Sequence, residues 1–390
     1  MDISLMTFMN VQLKLTTSTF HRYMYSQVNW DARMFGLVGP RGVGKTTMIL
    51  QYIKENGEGR KMLYVSADHV YLSTHSLIEL ADDFAKEAGE QLFIDEIHKY
   101  DNWSRELKQI YDSHPDMKIV FTGSSVLDIY KGAADLSRRA PIFMMQGLSF
   151  REYLSLFHNM SCPVYTLNDI LANKANIPDV VHPLPMFRDY LQRGYYPFSS
   201  DAHFDIELRQ VINQTMEVDI PQYANMNAST GRKLKKLLTV IAQSVPFKPV
   251  MDSLSVVLSV SRNVLPDYFM YMEQAGMIGQ LRNDTGGIRG IGKVEKVYLD
   301  NTNIAYVMGG NATDVGNLRE TFFYNQMRVT SDVISSSISD FEIDGKTFEV
   351  GGKKKSKKQI SMAKEGYVVR DDIESGSDNI IPLWAFGLTY

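Results

Sequence analysis

Short apolar runs alternate with helical patterns at the start of the chain. Four runs end in glycine, serine or acidic residues, as buried strands do: RMFGLVG (33–39), MLYVSAD (62–68), QLFIDE (91–96) and KIVFTGSS (118–125). A helical lead-in precedes them, and apolar positions recur at helical spacing in residues 45–55, 75–89 and 103–114. Strands that alternate with helices predict an α/β fold, with a parallel sheet, helices on both faces and a ligand crevice at the strand ends.

The pattern changes after LSFREYLSLF (148–157). Residues 160–230 are mostly helical and broken by prolines, and residues 231–300 predict three helices followed by a glycine-rich hairpin. Residues 318–390 predict one helix and then short strands. The chain is therefore divided into an α/β domain (1–157), a helical lid or linker (158–230), a domain of three helices and a hairpin (231–310) and a small α+β domain (311–390).

The bulk composition is that of a cytoplasmic globular protein. Of 390 residues, 44% are hydrophobic and 22% are charged, and the net charge of −4 gives no overall attraction to nucleic acid. The single cysteine, Cys162, excludes a disulfide framework. The N-terminus lacks a basic segment, and no run of about 18 apolar residues occurs, so we expect neither a signal peptide nor contact with a membrane.

The segment GPRGVGKTT (39–47) fits the pattern G-x-x-x-x-G-K-[ST] of a phosphate-binding loop. Its glycines allow positive φ angles that turn successive N–H groups toward phosphate, and the next helix directs its positive end to the same anion. Lys45 supplies a charge for the β- and γ-phosphates, and the Thr46 hydroxyl completes the shell of a Mg²⁺ ion. The predicted ATP contacts are Gly39, Pro40, Arg41, Gly42, Val43, Gly44, Lys45, Thr46 and Thr47. A chance glycine-lysine turn is disfavoured, because the motif lies between a predicted strand and a predicted helix.

Two carboxylates end the predicted strand LFIDE, fifty residues after Lys45. Adjacent side chains on a strand point in opposite directions, but at the strand end both can reach the crevice. Asp95 is the predicted metal ligand, with Thr46, and Glu96 is the predicted base that orients or deprotonates the attacking water. The alternative is a buried strand that simply ends in acids.

The strand KIVFTGSS is expected beside the Asp95 strand. It then presents Thr122, Ser124 or Ser125 near the γ-phosphate. We favour Ser124 as the residue that orients the water together with Glu96. The alternative is that these hydroxyls only cap the next helix.

These motifs resemble those of a known family. GPRGVGKTT, LFIDEIHKY, FTGSS and LSRRAPIFMMQGLSFREYL resemble the bacterial and archaeal AAA+ ATPases in which a P-loop domain precedes a C-terminal domain of unassigned function. The end of the chain, FEVGGKKKSKKQI to IPLWAFGLTY, resembles the end of the same family. The resemblance is weakest across residues 158–230. It implies ATP binding and hydrolysis, a winged-helix segment and a nuclease-like C-terminal fold.

The same resemblance implies two further roles at the nucleotide. Ser124 takes the water-orienting role called sensor 1, and Arg138 or Arg139 is an arginine finger. Such a finger can act on the ATP of a neighbouring subunit, so a homo-oligomer is expected. An arginine pair in surface salt bridges is the alternative.

Residues 231–300 follow the order of a winged helix. Ser261 is expected to cap the second helix of a helix-turn-helix, and Pro266 to delay the start of that helix. Double-stranded DNA is one expected partner, and a protein docked on the same surface is the alternative. The residues that DNA would contact are Arg262, Asn263, Arg282, Arg289 and Lys293.

A hairpin is predicted at Asp344-Gly345, within DFEIDGKTFEV (340–350). With those residues in the turn, Asp340 lies opposite Glu349, and Glu320 on the preceding helix is a further acidic candidate. Paired carboxylates followed by a lysine resemble the metal site of PD-(D/E)XK nucleases. The position two residues after Glu349 is a glycine, however, so we expect the fold without cleavage. The lysines of 353–358 then contact nucleic acid or are solvated edge charges.

Three functional hypotheses result. The leading one is an ATPase that couples its nucleotide state to a C-terminal DNA-binding module. The second is a slow ATP-dependent switch or scaffold that binds a protein partner. The third is a nuclease governed by the ATPase.

Overall fold

The computed structural model describes residues 2–124, 136, 138–244, 246–284, 292–309, 315–353 and 359–390. These residues cluster into two units, 1–147 and 148–390. The finer division of the chain at residues 157, 230 and 310 stays a prediction. Over the described ranges, no helix combines the length and the apolar character that crossing a bilayer requires.

The first unit is built on a parallel sheet with the strand order β2-β3-β4-β1-β5. Its strands are β1 (Met34–Val38), β2 (Met62–Ser66), β3 (Gln91–Asp95), β4 (Lys118–Gly123) and β5 (Ile142–Met144). Every residue of β1, β2 and β3 is buried, as expected for parallel strands covered on both faces. The four predicted strands are confirmed. β4 pairs with β3 as the sequence predicted, with Phe93 opposite Val120.

Helices connect these strands at the predicted places. They are α1 (Ile3–Leu15), α2 (Lys45–Asn56), α3 (Leu77–Lys86) and α4 (Trp103–Ser113), with 3-10 turns at Tyr23–Ser26, Val70–Ser73 and Ile97–Lys99. α3 begins in a capping box, in which the side chains of Ser76 and Glu79 each accept the backbone N–H of the other residue. The order of strands and helices brings the ends of β1, β3 and β4 to one edge of the sheet, where ligands bind in open α/β sheets.

The second unit begins with short helices, as predicted for this proline-rich region. They are α5 (Phe150–His158), α6 (Leu167–Leu171), α7 (Leu184–Asp189), α8 (Phe204–Gln214), α9 (Ile220–Tyr223) and α10 (Ala228–Ala242). Two π-helical turns, Tyr190–Gly194 and Thr215–Asp219, and a 3-10 turn at Pro197–Ser200 interrupt them. Tyr195 and Tyr196 are each 1% exposed, so this tyrosine pair packs in the core and offers no surface for stacking.

Three helices and an antiparallel hairpin follow in the predicted order. After α10 come α11 (Met251–Leu258), a 3-10 turn (Arg262–Val264), α12 (Leu265–Gln274), β6 (Ile278–Arg282) and β7 (Val294–Leu299). Ser261 was expected to cap the second helix and instead caps the 3-10 turn that leads into it. Pro266 fits the first turn of α12, where it costs little. Arg282 differs from its predicted place in a basic wing: its guanidinium donates to Glu273 at 2.8 Å, which neutralises its charge. Gly286, Gly287 and Arg289 lie outside the described residues.

A second sheet, with the order β12-β11-β10-β9-β8, forms the end of the chain. Its elements are α13 (Thr302–Gly309), α14 (Val315–Thr330), β8 (Ile334–Ser335), β9 (Phe341–Ile343), β10 (Lys346–Gly351), β11 (Gly366–Arg370) and β12 (Ile380–Pro382), with 3-10 turns at Gln359–Met362 and Leu383–Leu388. The predicted hairpin register is confirmed, with Ile343 opposite Lys346 and Phe341 opposite Phe348. Lys353 is exposed, and lysines 354, 355, 357 and 358 lie outside the described residues.

Candidate active site

The loop between β1 and α2 has the backbone that phosphate binding requires. Gly42 and Gly44 have φ angles of 80° and 96°, a region that side chains with a Cβ rarely enter. Gly39 is required for a second reason: a Cβ added there would collide with the main-chain carbonyl oxygen of Met145. Gly44 is also the residue before α2, so the loop leads directly to the positive end of that helix.

Lys45 is buried at the base of this loop. Its Nζ donates to the carbonyl oxygens of Gly39 and Pro40, each at 2.9 Å. Burial lowers the pKa of this ammonium from 10.5 to about 8, although the charges of Glu96 and Asp95 oppose that change. The Lys45 ammonium therefore lies beside the loop, where a bound anion would stabilise its charged form.

Asp95, at the end of β3, accepts hydrogen bonds from three hydroxyls. Thr46 donates to its Oδ2 at 2.8 Å, Tyr64 donates to the same oxygen at 3.0 Å, and Thr122 donates to Oδ1. Burial raises the pKa of the Asp95 carboxyl, and the hydrogen bonds from Thr122 and Thr46 act against that rise. The predicted metal pair, Thr46 and Asp95, is thus brought within one hydrogen bond.

Glu96 leaves the strand in a left-handed conformation, with φ of 52°. Because of this conformation, the Glu96 side chain takes a different direction from that of Asp95. The Glu96 backbone N–H donates to the Thr122 hydroxyl at 3.1 Å. The Ser124 hydroxyl donates to Glu96 Oε2 at 2.8 Å, so the hydroxyl predicted to orient water together with Glu96 lies beside it. Burial raises the pKa of the Glu96 carboxyl, but the charges of Lys45 and His98, the hydrogen bond from Ser124 and the charge of Arg41 together outweigh burial, and the pKa lies below its ordinary value. A carboxylate that is ionised and held in this way can accept a proton from water.

The two candidate arginines differ in their surroundings. Arg139 donates to both oxygens of Asp112, at 3.1 and 3.0 Å, and so forms the surface salt bridge named as the alternative to a finger. Arg138 is exposed. Ser125, the third hydroxyl considered on the β4 side, lies outside the described residues.

Sequence reasoning missed two residues of this site. Tyr64, on β2, donates to Asp95; a polar residue two positions before the end of a neighbouring strand was a usable signal. Arg22 is 5% exposed and donates to the carbonyl oxygen of Val43 in the phosphate loop. It also donates to the carbonyl oxygens of Gln146 and Gly147, at 2.7 and 2.9 Å. No local pattern announces Arg22, because its acceptors lie 21 to 125 residues away along the chain.

Two of the three acidic residues predicted around the C-terminal hairpin, Asp340 and Glu320, contact one lysine. Lys296 Nζ lies 3.0 Å from Asp340 Oδ1 and 3.3 Å from Glu320 Oε2. Tyr298 donates to Glu320 at 2.7 Å. Over the part of the chain that the structure describes, no group of three or more His, Cys, Asp or Glu residues is arranged to hold a metal ion. An ammonium thus neutralises Asp340 and Glu320, two of the three acids that a nuclease would offer to a cation, while Glu349 accepts a hydrogen bond from the Ser339 hydroxyl.

Two family models match this chain. Residues 31–154 match a family described as an AAA domain. Residues 184–315 match a family described as a domain of unknown function (DUF8612). No match was found among curated proteins.

Among the solved structures that are similar to this chain is that of the Walker-type ATPase PABY2304 of Pyrococcus abyssi. The similarity covers 76% of this chain and 99% of that one, at 14% sequence identity and a TM-score of 0.48. A likeness of this degree adds no weight to an assignment, which rests on the match to the AAA domain and on the site itself. That match covers the strands and the loop that hold Lys45, Asp95 and Glu96, and residues 31–154 are therefore a P-loop domain of the AAA type.

Proposed function

We propose that the chain binds Mg-ATP at residues 39–47 and hydrolyses it with Glu96 as the base. One observation carries the proposal: the two acids at the end of β3 are separately held, Asp95 by Thr46 and Glu96 by Ser124, each at 2.8 Å. Two acids in different hydrogen-bonding environments at one strand end suit two different tasks, one toward a metal and one toward water.

The residues present fit a magnesium ion. The Thr46 hydroxyl and the Asp95 carboxylate are oxygen donors, which Mg²⁺ prefers, and they already lie within 2.8 Å of each other. When bound, the ion would neutralise phosphate charge. Asp95 and Thr46 would hold it, while Tyr64 and Thr122 keep the carboxylate in place.

The remaining groups bind, orient and accept a proton. Backbone N–H groups of the loop and the start of α2 receive the phosphates, and Lys45 exchanges its two carbonyl acceptors for phosphate oxygens. Glu96 takes the proton of the attacking water, and Ser124 fixes the orientation of Glu96. Thr47, Arg41 and Val43 complete the loop.

Arg138 is the better candidate for an arginine finger in a homo-oligomer. It is exposed, whereas both oxygens of Asp112 already hold the guanidinium of Arg139 within the same subunit. A finger must leave its own subunit to stabilise charge in the transition state of another.

The C-terminal half of the chain suits a protein partner better than DNA. α12, the helix that would enter a DNA groove, contains no lysine or arginine and carries Asp267 and Glu273. Arg262, just before it, forms an exposed pair with Asp252 at 3.1 Å. DNA readers place positive charge on this helix, because phosphate contacts supply most of the affinity.

The neighbouring helix points to the same conclusion. Lys233 and Lys236 on α10 donate to the carbonyl oxygens of Ser259 and Val257, at the end of α11. Their charges therefore stabilise the carbonyl oxygens at the C-terminal end of α11. Val256 on α11 is 78% exposed, as an apolar contact for a protein would be. We accordingly infer an ATP-dependent switch that acts on a protein. A cytoplasmic location fits the one cysteine of the chain, which is a free and buried thiol.

Nucleotide binding and turnover measured on matched variants test the site. Lys45→Ala should lose ATP binding, because the loop loses its cation. Glu96→Gln should keep ATP affinity within about threefold and lose at least about a hundredfold in kcat, the range for removal of a general base. Glu58→Gln, an exposed glutamate after α2, is the control and should behave as the wild type. Wild-type turnover in Glu96→Gln would contradict the assigned base.

A further inference from the structure

His98 lies beside the proposed base without having been assigned a part in the reaction. It belongs to the 3-10 turn Ile97–Lys99 that follows β3. Its ring Nε2 is 3.4 Å from Glu96 Oε2, and the His98 side chain is only 8% exposed. A histidine held this close to a half-buried carboxylate is placed to act on that carboxylate.

The same oxygen of Glu96 accepts a hydrogen bond from another side chain. Ser124, which follows β4, donates to Oε2 at 2.8 Å. Groups after two different strands therefore converge on one carboxylate oxygen, and among the described residues Oε1 accepts no hydrogen bond. A carboxylate anchored through one oxygen has its rotation restricted, and its other oxygen is available to water.

We propose that His98 is a positioning residue for ATP hydrolysis, which fixes Glu96 through Oε2 so that Oε1 meets the attacking water. The inference rests on the proposed function, because it concerns the base of that reaction. Small errors in the placement of a base cost much of its effect, since proton transfer requires a hydrogen-bond distance and a near-linear approach. Ser124 alone gives one contact, which leaves rotation about that contact; a second donor restricts it.

Two isosteric amides separate positioning from packing. In His98→Gln the side-chain amide N–H reaches the place of Nε2, whereas in His98→Asn it reaches only the place of Nδ1. We expect His98→Asn and His98→Ala to lower kcat about tenfold or more, and His98→Gln to recover kcat to within about threefold of the wild type. KM for Mg-ATP and nucleotide Kd should stay within about twofold in all three, because the phosphates are bound elsewhere. His114→Gln, at a half-buried histidine that pairs with Asp82, is the control.

The outcomes distinguish this inference from the function on which it rests. Equal kcat in the wild type, His98→Gln and His98→Asn would overturn the role of His98 while leaving Glu96 as the base. Equal losses in all three variants would also overturn it, since packing does not depend on which nitrogen is present. Absence of wild-type turnover would instead overturn the proposed function.

A double-mutant cycle with Ser124→Ala completes the test. If both donors fix one oxygen, the combined loss in kcat should differ from the product of the single losses by at least about threefold. Independent, multiplicative losses would contradict a shared action on Oε2.

Discussion

Lys45 is held in an environment that disfavours its charge. Burial lowers the pKa of its ammonium from 10.5 to about 8, and two carbonyl oxygens are its hydrogen-bond acceptors. In the unfolded chain the same amine stays protonated well above pH 8. Between the pKa of Lys45 in the folded protein, about 8, and its higher pKa in the unfolded chain, the folded protein binds fewer protons than the unfolded chain. This group therefore makes the free energy of unfolding rise with pH in that window.

ATP binding should show the opposite dependence on pH. Phosphate binds the charged form of Lys45, so Mg-ATP affinity should be constant below about pH 8 and fall above it, by up to about tenfold per pH unit. Calorimetric Kd values between pH 7 and 9.5 measure this directly. Lys45→Arg is the matched variant, because guanidinium stays charged throughout. The same decline in Lys45→Arg would assign the pH dependence to another group.

At the residue scale, the sequence predicts those site residues that a short local motif contains. Lys45 and Thr46 follow from a motif, and Asp95, Glu96 and Ser124 follow from the ends of two apolar runs. Their mutual contacts are as expected because parallel strands end at a common edge. Arg22 and Tyr64 were missed, since each acts on residues that only the fold brings near.

Among the elements, the hairpin of β9 and β10 tests turn chemistry most directly. Asp344 and Gly345 both have positive φ, 50° and 75°, as a type I′ turn requires. No atom lies within 4 Å of a Cβ added at Gly345, so a substitution there changes the backbone preference without a collision.

Gly345→Ala should destabilise this hairpin by about 1 kcal/mol, because alanine disfavours positive φ. Amide hydrogen exchange in β9 and β10 should then be about fivefold faster, if those amides exchange through local opening. Asp344→Gly is the paired variant: glycine relieves the same strain at Asp344, so its exchange rates should stay within about twofold of the wild type. Unchanged exchange in Gly345→Ala would show that the turn does not limit opening of the hairpin.

Element prediction succeeded where burial dominates and failed where tertiary pairing decides. The five buried residues of β1 leave little alternative to a strand. The π-helical turns at Tyr190–Gly194 and Thr215–Asp219 have no comparable signal, because an i→i+5 bond is favoured only by the surrounding packing. Arg282 was expected in a basic wing, but a carboxylate on α12, Glu273, is near enough to hold it.

At the scale of the whole molecule, charge decides which partner is favoured. The chain carries a net charge of −4, and the described helix α12 contains two acids and no lysine or arginine. A DNA-coupled ATPase needs positive charge there, because its affinity depends on displaced counterions.

We therefore expect double-stranded DNA to change steady-state ATPase turnover by less than about twofold, at both low and moderate salt. The measurement is turnover with and without a duplex, next to Arg262→Gln, which should equal the wild type. Stimulation that fades with salt would restore the DNA-coupled hypothesis and direct attention to Lys353 and the lysines that follow it.

Arg22 has a consequence for how nucleotide binding is felt along the chain. One guanidinium links the peptide after Val43 to the carbonyls of Gln146 and Gly147. Since a trans peptide is planar, holding the Val43 carbonyl also fixes the direction of the Gly44 N–H, one of the groups offered to phosphate. Gly147 is the last residue of the first unit, and Leu148 begins the second. Loss of the γ-phosphate would change how the Val43–Gly44 peptide is held. Through Arg22, that change would reach the Gln146 and Gly147 carbonyls, which come directly before the start of the second unit.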